Sequence, residues 1–122
     1  MRRTADWMKE AEGELKAAED LFRAQHYSWC CFTCQQAAEK ALKAILENFG
    51  YPTVSHSIVA LINEVSRLVQ VPSEIDAACR VLNRYYIPTR YPNAFPSGAP
   101  VEMFFEEDAR DALEQAGDVL NL

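Results

Sequence analysis

Residues 28–48 read SWCCFTCQQAAEKALKAILEN, and the apolar side chains in this stretch follow the period of an α-helix. This spacing places them on one side of the helix, where they can be buried together. The helix is expected to end near Asn48, because Gly50 supplies a stop signal. The expected inward-facing residues are Trp29, Phe32, Ala38, Leu42, Ile45, Leu46 and Phe49.

The same period continues on both sides of this long helix. A helix before it can be capped by Thr4 or Asp6, and the residues from Tyr51 to Ser57, which include Pro52, read as a connection. The other predicted helices run from about Thr4 to about Gln25, from a cap at Ser55 or Ser57 through Leu68, from Pro72 and Ser73 through Tyr85, and from about Phe105 to Leu120.

These helices account for most of the 122 residues, and no segment alternates apolar and polar residues for long enough to form a strand. Most connections are short, so neighbouring helices are expected to be antiparallel. The chain is therefore predicted to be one all-α domain over residues 1–122, an antiparallel up-and-down bundle of four to five helices. Regular structure is not expected from Ile87 to Pro100, where four prolines and Gly98 occur. Loops of this length in a small domain are often functional.

The charge balance limits the kinds of partner that the chain can have. Twelve basic residues against eighteen acidic ones give a net charge of −6, which argues against a protein that wraps double-stranded DNA. The charges are also unevenly placed, since residues 77–101 carry three arginines and no acid, whereas residues 102–122 carry seven acids and one arginine. No apolar run is long enough to cross a membrane, and no signal peptide is apparent, so we expect a cytoplasmic protein.

The cysteines fit a reducing compartment. Cys30, Cys31 and Cys34 lie within about one helical turn of each other and Cys79 stands alone, which is not the pattern of a disulfide framework. Cys31 and Cys34 form a CxxC motif, but a structural zinc site usually needs two such pairs. We therefore interpret these cysteines as small core residues and expect neither a metal nor a cofactor.

Three local patterns are informative because they occur together and in a fixed order. They are QQAAEKALKA at residues 35–44, His56-Ser57 before the third helix, and Thr89-Arg90-Tyr91-Pro92 in the loop. Together they resemble the HEPN domain family, over nearly the whole chain. The resemblance implies a small antiparallel helical bundle that is usually dimeric. It also implies a gene that often lies beside one for a minimal nucleotidyltransferase, with the HEPN protein sometimes acting as the toxin of the pair. Members have been proposed to bind nucleotides or to cleave RNA.

The ribonuclease branch of that family uses an Arg followed after four to six residues by a His. This chain departs from the pattern, because the matching positions after Arg90 hold Phe95, Pro96 and Ser97. The two histidines of the chain, His26 and His56, both lie upstream. A guanidinium stays protonated and can bind phosphate, but it cannot exchange protons as an imidazole does. We therefore assign no catalytic residue and favour a binding protein over an enzyme.

The candidate binding site combines cations with aromatic rings. Arg80 and Arg84 lie four residues apart on the fourth predicted helix, Arg90 follows in the loop, and Tyr85, Tyr86, Tyr91 and Phe95 are interleaved with them. Such a combination can hold phosphate and stack bases. The alternative is that these arginines pair with the acidic last helix and that the tyrosines pack inside the bundle.

Three further residues on the long helix belong to the candidate site by resemblance. Gln36, Glu39 and Lys43 would border the loop, where they could orient Arg90 or contact a polar ligand. The alternative for Glu39 and Lys43 is an ordinary solvated ion pair at the surface of a helix. His56 is either a residue at a helix start or a general base near the cleft, and His26 is expected at a surface or junction.

These observations predict a non-catalytic HEPN-like module that forms a homodimer. It would bind a nucleotide, single-stranded RNA or a partner nucleotidyltransferase through the region from Arg80 to Phe95, as part of a toxin–antitoxin type of pair. Two alternatives remain: a metal-independent toxin ribonuclease that uses Arg90 with a substitute acid or base such as His56 or Tyr91, and a structural adaptor whose exposed face is a protein interface.

Overall fold

The computed structural model describes residues 3–51 and 55–122, and within these ranges it contains α-helices and one short 3-10 turn but no strand. The predicted all-α class is therefore confirmed. The helices are α1 (Thr4–Arg23), α2 (Tyr27–Asn48), α3 (Ile58–Val65), α4 (Ser73–Asn83), α5 (Pro100–Met103) and α6 (Glu106–Leu120), and the 3-10 turn is Pro92–Ala94.

The long helix α2 is the centre of the bundle. It packs against α1, α3, α4, α5 and α6, so it is covered on several sides. Small residues such as Ala37, Ala38 and Ala41 are almost fully buried along it, and they let the neighbouring helices approach closely. Leu42 and Leu46 supply the larger apolar side chains of the same core. A helix in this central position can bury side chains on more than one face, including polar ones.

The ends of α2 are set by local backbone geometry. Before it, Gln25 has a positive φ of 66°, and this residue turns the chain between α1 and α2. After it, Gly50 has a φ of 79°, a conformation that glycine adopts without steric penalty. The N–H of Gly50 donates to the carbonyl of Glu47, and the N–H of Tyr51 donates to the carbonyl of Leu46, which is the Schellman pattern. The predicted stop at Gly50 is confirmed.

The predicted caps were partly right. The hydroxyl of Ser57 accepts a hydrogen bond from the N–H of Ala60 at 3.2 Å, as expected for the N-cap of α3. The prediction for α1 was wrong, because Arg3 occupies the N-cap position, Thr4 is already helical, and Asp6 pairs with Arg3 instead. Part of the predicted connection between α2 and α3, including Pro52, lies outside the described residues.

Several predicted packing positions and helix ends also differ. Trp29 and Phe49 were expected to face inward, but 46% and 42% of their surfaces are exposed. They lie on the exposed side of the helix, since Ser28, Cys30 and Leu46 beside them are buried. The third and fourth helices end at Val65 and Asn83, before the predicted Leu68 and Tyr85, and both of these residues still pack half-buried against the core.

The proline-rich region contains more regular structure than expected. A 3-10 turn begins at Pro92 and α5 begins at Pro100, so the prediction of no regular structure there was partly wrong. The physical reason is that proline suits the first position of a helix, where its missing N–H would have no partner anyway. The helix α6 then starts with three acids in its first turn, which favourably meet the positive end of the helix dipole.

All four cysteines are free and fully buried, and three of them lie on α2 in the core, as predicted for small apolar residues. In the ranges that the structure describes, no helix combines the length and apolarity needed to span a membrane.

Candidate functional site

Arg90 lies among three aromatic rings. The central carbon of its guanidinium is 4.3 Å from the ring centroid of Phe32, 4.6 Å from that of Tyr86 and 5.0 Å from that of Tyr91. Each distance is within the range of a cation–π contact. The rings hold the cation in place, and because their faces carry no hydrogen-bond acceptors they leave the N–H groups of its two terminal nitrogens for an anion.

The backbone around Arg90 is a series of turns that follows α4. The Nε of Arg90 donates to the carbonyl of Tyr86 at 2.9 Å, and the hydroxyl of Thr89 donates to the carbonyl of Tyr85. Thr89 is fully buried, so its hydrogen bond fixes the turn from inside. The turn therefore places Arg90 and Tyr86 next to each other and restricts the guanidinium to one orientation.

A buried ion pair lies on α2 close to this cluster. The Nζ of Lys43 is 3.1 Å from Oε2 of Glu39, and only 7% and 3% of the two side chains are exposed. The prediction left open a solvated pair, and that alternative is wrong here because the surrounding helices cover both residues. Buried charges of this kind are stable only when they are paired. The Nζ of Lys43 also lies 5.4 Å from the ring centroid of Trp7 on α1.

His56 joins the ion pair to the aromatic cluster. Its Nδ1 lies 3.1 Å from Oε2 of Glu39, so this carboxylate oxygen faces both His56 and Lys43. The imidazole also stacks on Tyr86, with ring centroids 6.3 Å apart and an angle of 17° between the planes. Although Glu39 is buried, 65% of the His56 side chain is exposed. The chain thus places an accessible imidazole one aromatic ring away from Arg90.

Unpartnered polar atoms occur along the same part of α2. Oε1 of Glu39, Oε1 of Gln36 and both amide atoms of Gln35 are buried and have no hydrogen-bond partner among the described residues. Gln35, Glu39 and Lys43 are spaced four residues apart, so they form a polar stripe along one side of the helix. Buried polar groups normally have hydrogen-bond partners, so this polar stripe is unusual for the centre of a helical bundle.

The other predicted site residues lie in different surroundings. Arg80 is exposed on α4, and its Nε donates to Asp76 of the same helix at 2.9 Å. Arg84 is the C-cap residue of α4 and is exposed. No hydrogen bond or ring contact between residues of the described ranges joins either arginine to Arg90. Arg80 therefore pairs within its own helix, and not with the acidic last helix as the alternative interpretation expected.

The aromatic residues that were predicted to interleave with the arginines divide into two groups. Tyr86 and Tyr91 contact the guanidinium of Arg90. Tyr85 and Phe95 instead pack edge-on against Phe104, with centroid distances of 5.9 Å and 6.3 Å. The predicted association with an arginine therefore applies to Tyr86 and Tyr91, whereas Tyr85 packs against another helix segment as the alternative interpretation expected.

Two site residues were not found from the sequence. Phe32, the ring nearest to Arg90, is predicted from the sequence to face inward, and the sequence does not single out Trp7 on α1. Aromatic residues on amphipathic helices usually belong to the core, so no local signal marked these two. Their positions relative to Arg90 and Lys43 follow from how α1, α2 and the turns pack together.

The chemical capacity of the site follows from its components. Arg90 can bind an anion, the exposed rings of Tyr91 and His56 can stack against a base or sugar, and the imidazole can exchange protons. Within the part of the chain that the structure describes, no group of three His, Cys, Asp or Glu residues is arranged to hold a metal ion. An apolar groove between α1, α2 and α6 is lined by residues such as Met8, Ile45 and Leu120 and has no charged side chain, so it does not suit a phosphate.

Comparisons with known proteins place the chain in a family. The model of the HEPN domain matches residues 4–122. The crystal structure of TT1696 from Thermus thermophilus is similar with a TM-score of 0.95 and 38% identity, and covers 99% of this chain and 95% of that one. The crystal structure of ST0689, described as an archaeal HEPN homologue, has a TM-score of 0.82 and 36% identity, covering 99% of this chain and 94% of that one.

Two more distant relatives agree with this assignment. The crystal structure of a HEPN domain protein from Thermotoga maritima has a TM-score of 0.77 and 27% identity, over 95% of this chain and 92% of that one. A protein from Methanocaldococcus jannaschii named "Putative toxin MJ1304" is 26% identical over 129 residues, which is 95% of this chain and 82% of the relative. Since the family model spans nearly the whole chain and the matching structures share its helical fold, the chain belongs to the HEPN domain family.

Proposed function

We propose that this protein is a HEPN module that binds a nucleotide or the end of a single RNA strand at Arg90. The observation that carries the proposal is the position of the Arg90 guanidinium among the rings of Phe32, Tyr86 and Tyr91, with the exposed imidazole of His56 stacked on Tyr86. A nucleotide is the ligand that combines phosphate with flat rings, so it matches both parts of the site.

The net charge of −6 supports a small or single-stranded ligand over a duplex. Binding a long duplex needs many phosphate contacts, and their combined effect dominates affinity. Here one well-held arginine serves the site, while Arg80 is engaged by Asp76 and α6 begins with three acids. The site is thus suited to one or two phosphates with their attached bases.

Binding can be tested with Arg90→Ala and its matched control Arg80→Ala, since each variant removes one positive charge. Thermal unfolding of the wild type is followed with increasing amounts of nucleoside monophosphate and of short single-stranded RNA. We expect stabilisation in the wild type and in Arg80→Ala, and none in Arg90→Ala. No stabilisation of the wild type at millimolar ligand would contradict the proposal and favour a structural adaptor.

A second candidate function is metal-independent RNA cleavage, and the contact between His56 and Glu39 favours it. A carboxylate that orients a histidine is a common arrangement for a general base. His56 would then replace the His that the family ribonuclease pattern places after the Arg. Degradation of single-stranded RNA that is lost in both His56→Ala and Arg90→Ala would establish this function over simple binding.

We further propose that the protein acts as a homodimer and as one member of a toxin–antitoxin type of pair with a minimal nucleotidyltransferase. The name of the Methanocaldococcus jannaschii relative supports the toxin part of this proposal. Ile87, Val101 and Phe105 are exposed apolar side chains, a type of residue that protein interfaces commonly cover. Sedimentation of the purified protein tests the dimer. Growth arrest on expression, relieved by the neighbouring gene, tests the pair.

A further inference from the structure

The carboxylate of Glu39 determines which nitrogen of His56 carries the proton. The Nζ of Lys43 donates to Oε2 of Glu39 at 3.1 Å, so the ammonium group and the carboxylate are paired inside the bundle. An ionised carboxylate only accepts hydrogen bonds, so the Nδ1 of His56, 3.1 Å from the same oxygen, has to donate. In the neutral imidazole, Nε2 is therefore the unprotonated nitrogen and acts as a hydrogen-bond acceptor.

This acceptor lies where a ligand can reach it. The side chain of His56 is 65% exposed, whereas the Glu39 and Lys43 side chains that orient it are 3% and 7% exposed. No hydrogen bond from the described residues reaches Nε2. The imidazole is also held in its plane by stacking on Tyr86, whose ring lies 4.6 Å from the guanidinium of Arg90. The imidazole and the phosphate-binding guanidinium thus both contact the ring of Tyr86.

We propose that His56 makes the site specific for ribose, by accepting a hydrogen bond from the 2′-hydroxyl group of the ligand. This inference rests on the proposed binding at Arg90. In a nucleotide the sugar is the group attached directly to phosphate, so a side chain that shares the ring of Tyr86 with the phosphate-binding arginine is placed to meet the sugar. The 2′-hydroxyl is the group that distinguishes RNA from DNA.

Glu39 and Lys43 act as positioning residues in this arrangement. They do not touch the ligand, but they fix the tautomer and the orientation of His56. This role explains why a polar pair lies in the most buried helix of the bundle, where apolar residues of similar volume would pack as well.

The test compares four labelled single strands of the same sequence: RNA, DNA, 2′-O-methyl RNA and 2′-fluoro RNA. Binding to the wild type is measured by fluorescence anisotropy at one fixed salt concentration, because affinity depends on salt. We expect RNA to bind about tenfold more tightly than the other three, which is about the effect of one hydrogen bond. The 2′-O-methyl and 2′-fluoro strands are informative because they have no hydrogen to donate to Nε2.

Variants separate the roles of the residues. His56→Ala is expected to bind all four strands with the affinity that the wild type has for DNA. His56→Gln should keep part of the preference, because a glutamine amide can donate to Glu39 and accept from the hydroxyl at the same time. His26→Ala, a change at the other histidine of the chain, is the matched control and should keep the full preference for RNA. Arg90→Ala should weaken binding to all four strands.

A spectroscopic readout tests the positioning roles separately. Nitrogen-15 NMR of the histidine side chains is expected to show His56 protonated on Nδ1 in the wild type. In Glu39→Gln a mixture of tautomers is expected, since an amide can donate as well as accept.

The outcomes distinguish failure of the proposed role of His56 from failure of the proposed binding at Arg90. Equal binding of RNA and DNA by the wild type, or a full preference for RNA in His56→Ala, overturns the role of His56 while leaving binding at Arg90 intact. A proton on Nε2 of His56 overturns it without any ligand. Absence of binding for every strand overturns the proposed function itself, and with it this inference.

Discussion

Lys43 and Glu39 form an ion pair, 3.1 Å from Nζ to Oε2, on the most covered helix of the bundle. Their spacing of four residues is the one found in ordinary surface pairs of helices. What differs is their environment, because α1 and the residues before α3 cover them with Trp7 and His56. The pair is therefore part of the candidate site, because His56 contacts Glu39 directly.

The first prediction concerns the stability of this pair. Lys43→Met should lower the free energy of unfolding by about 3–5 kcal/mol at neutral pH, because it leaves a buried carboxylate without its main partner. Urea unfolding monitored by circular dichroism measures the change. The double variant Glu39→Gln with Lys43→Met should recover part of the loss, since the uncompensated charge is removed. A double variant that is no more stable than Lys43→Met would show that packing, and not charge, dominates.

The second prediction concerns the shape of the cation at position 90. Arg90→Lys keeps the charge but loses the flat group that stacks on Phe32 and Tyr86. We expect ligand affinity to fall about tenfold and stability to fall by about 1 kcal/mol. The matched control is Arg80→Lys, which keeps its charge next to Asp76 and should change neither quantity measurably. If Arg90→Lys binds as the wild type does, charge alone is sufficient and the aromatic cluster has no role in binding.

The third prediction concerns the cap of α3. Ser57→Ala removes the hydroxyl that accepts from the N–H of Ala60, and it should cost about 1 kcal/mol of stability. Ser57 follows His56 directly, so the variant also reports whether the start of α3 positions the imidazole. We expect the stability change without loss of ligand binding, because Glu39 and Tyr86 hold His56 independently of the cap. Thermal unfolding and the anisotropy assay on the same sample separate the two effects.

The fourth prediction concerns alkaline pH. Burial raises the pKa of Cys79 from an ordinary value of 9.0 to about 12, and burial likewise raises the pKa of Cys31. Above pH 9 an unfolded thiol loses its proton, whereas the folded thiol keeps it. The unfolded state then binds fewer protons, so stability decreases as the pH rises from about 9 towards 12.

Measurements on the thiols check this directly. Urea unfolding should show lower stability at pH 10 than at pH 8, and Cys79→Ala should reduce that difference after correction for its own packing loss. At pH 8 a thiol reagent is expected to label the cysteines only after unfolding, because all four are fully buried. Rapid labelling of the native protein would contradict the buried positions of these side chains.

Much of the fold could be predicted because its signals are local. The periodic apolar residues of α2, the cap at Ser57 and the turn at Gly50 each act within a few residues of themselves. Errors occurred where a boundary depends on more distant structure. Arg3 occupies the N-cap position that was predicted for Thr4 or Asp6, and Trp29 and Phe49 are exposed although residues beside them, such as Cys30 and Leu46, are buried.

The candidate site was predictable only in part. Arg90, Tyr86 and Tyr91 are close in sequence, so their association could be expected from composition and spacing. Phe32 could not be assigned to the same cluster, because nothing local distinguishes a ring that contacts Arg90 from one that faces the core. Arg80 differs, because it pairs with Asp76 four residues earlier on the same helix, and this spacing is a local signal already present in the sequence.

The amino-acid sequence alone determined the helical class, the order of the main helices and the presence of an arginine among aromatic residues without a histidine at the family spacing. Only the tertiary structure decided that His56, 17 residues after Glu39, returns to that carboxylate and stacks on Tyr86. It also decided that Lys43 and Glu39 are buried. The physical reason is that helix periodicity and capping are short-range properties. The meeting of three separate segments depends instead on how whole helices pack, and no local pattern encodes that arrangement.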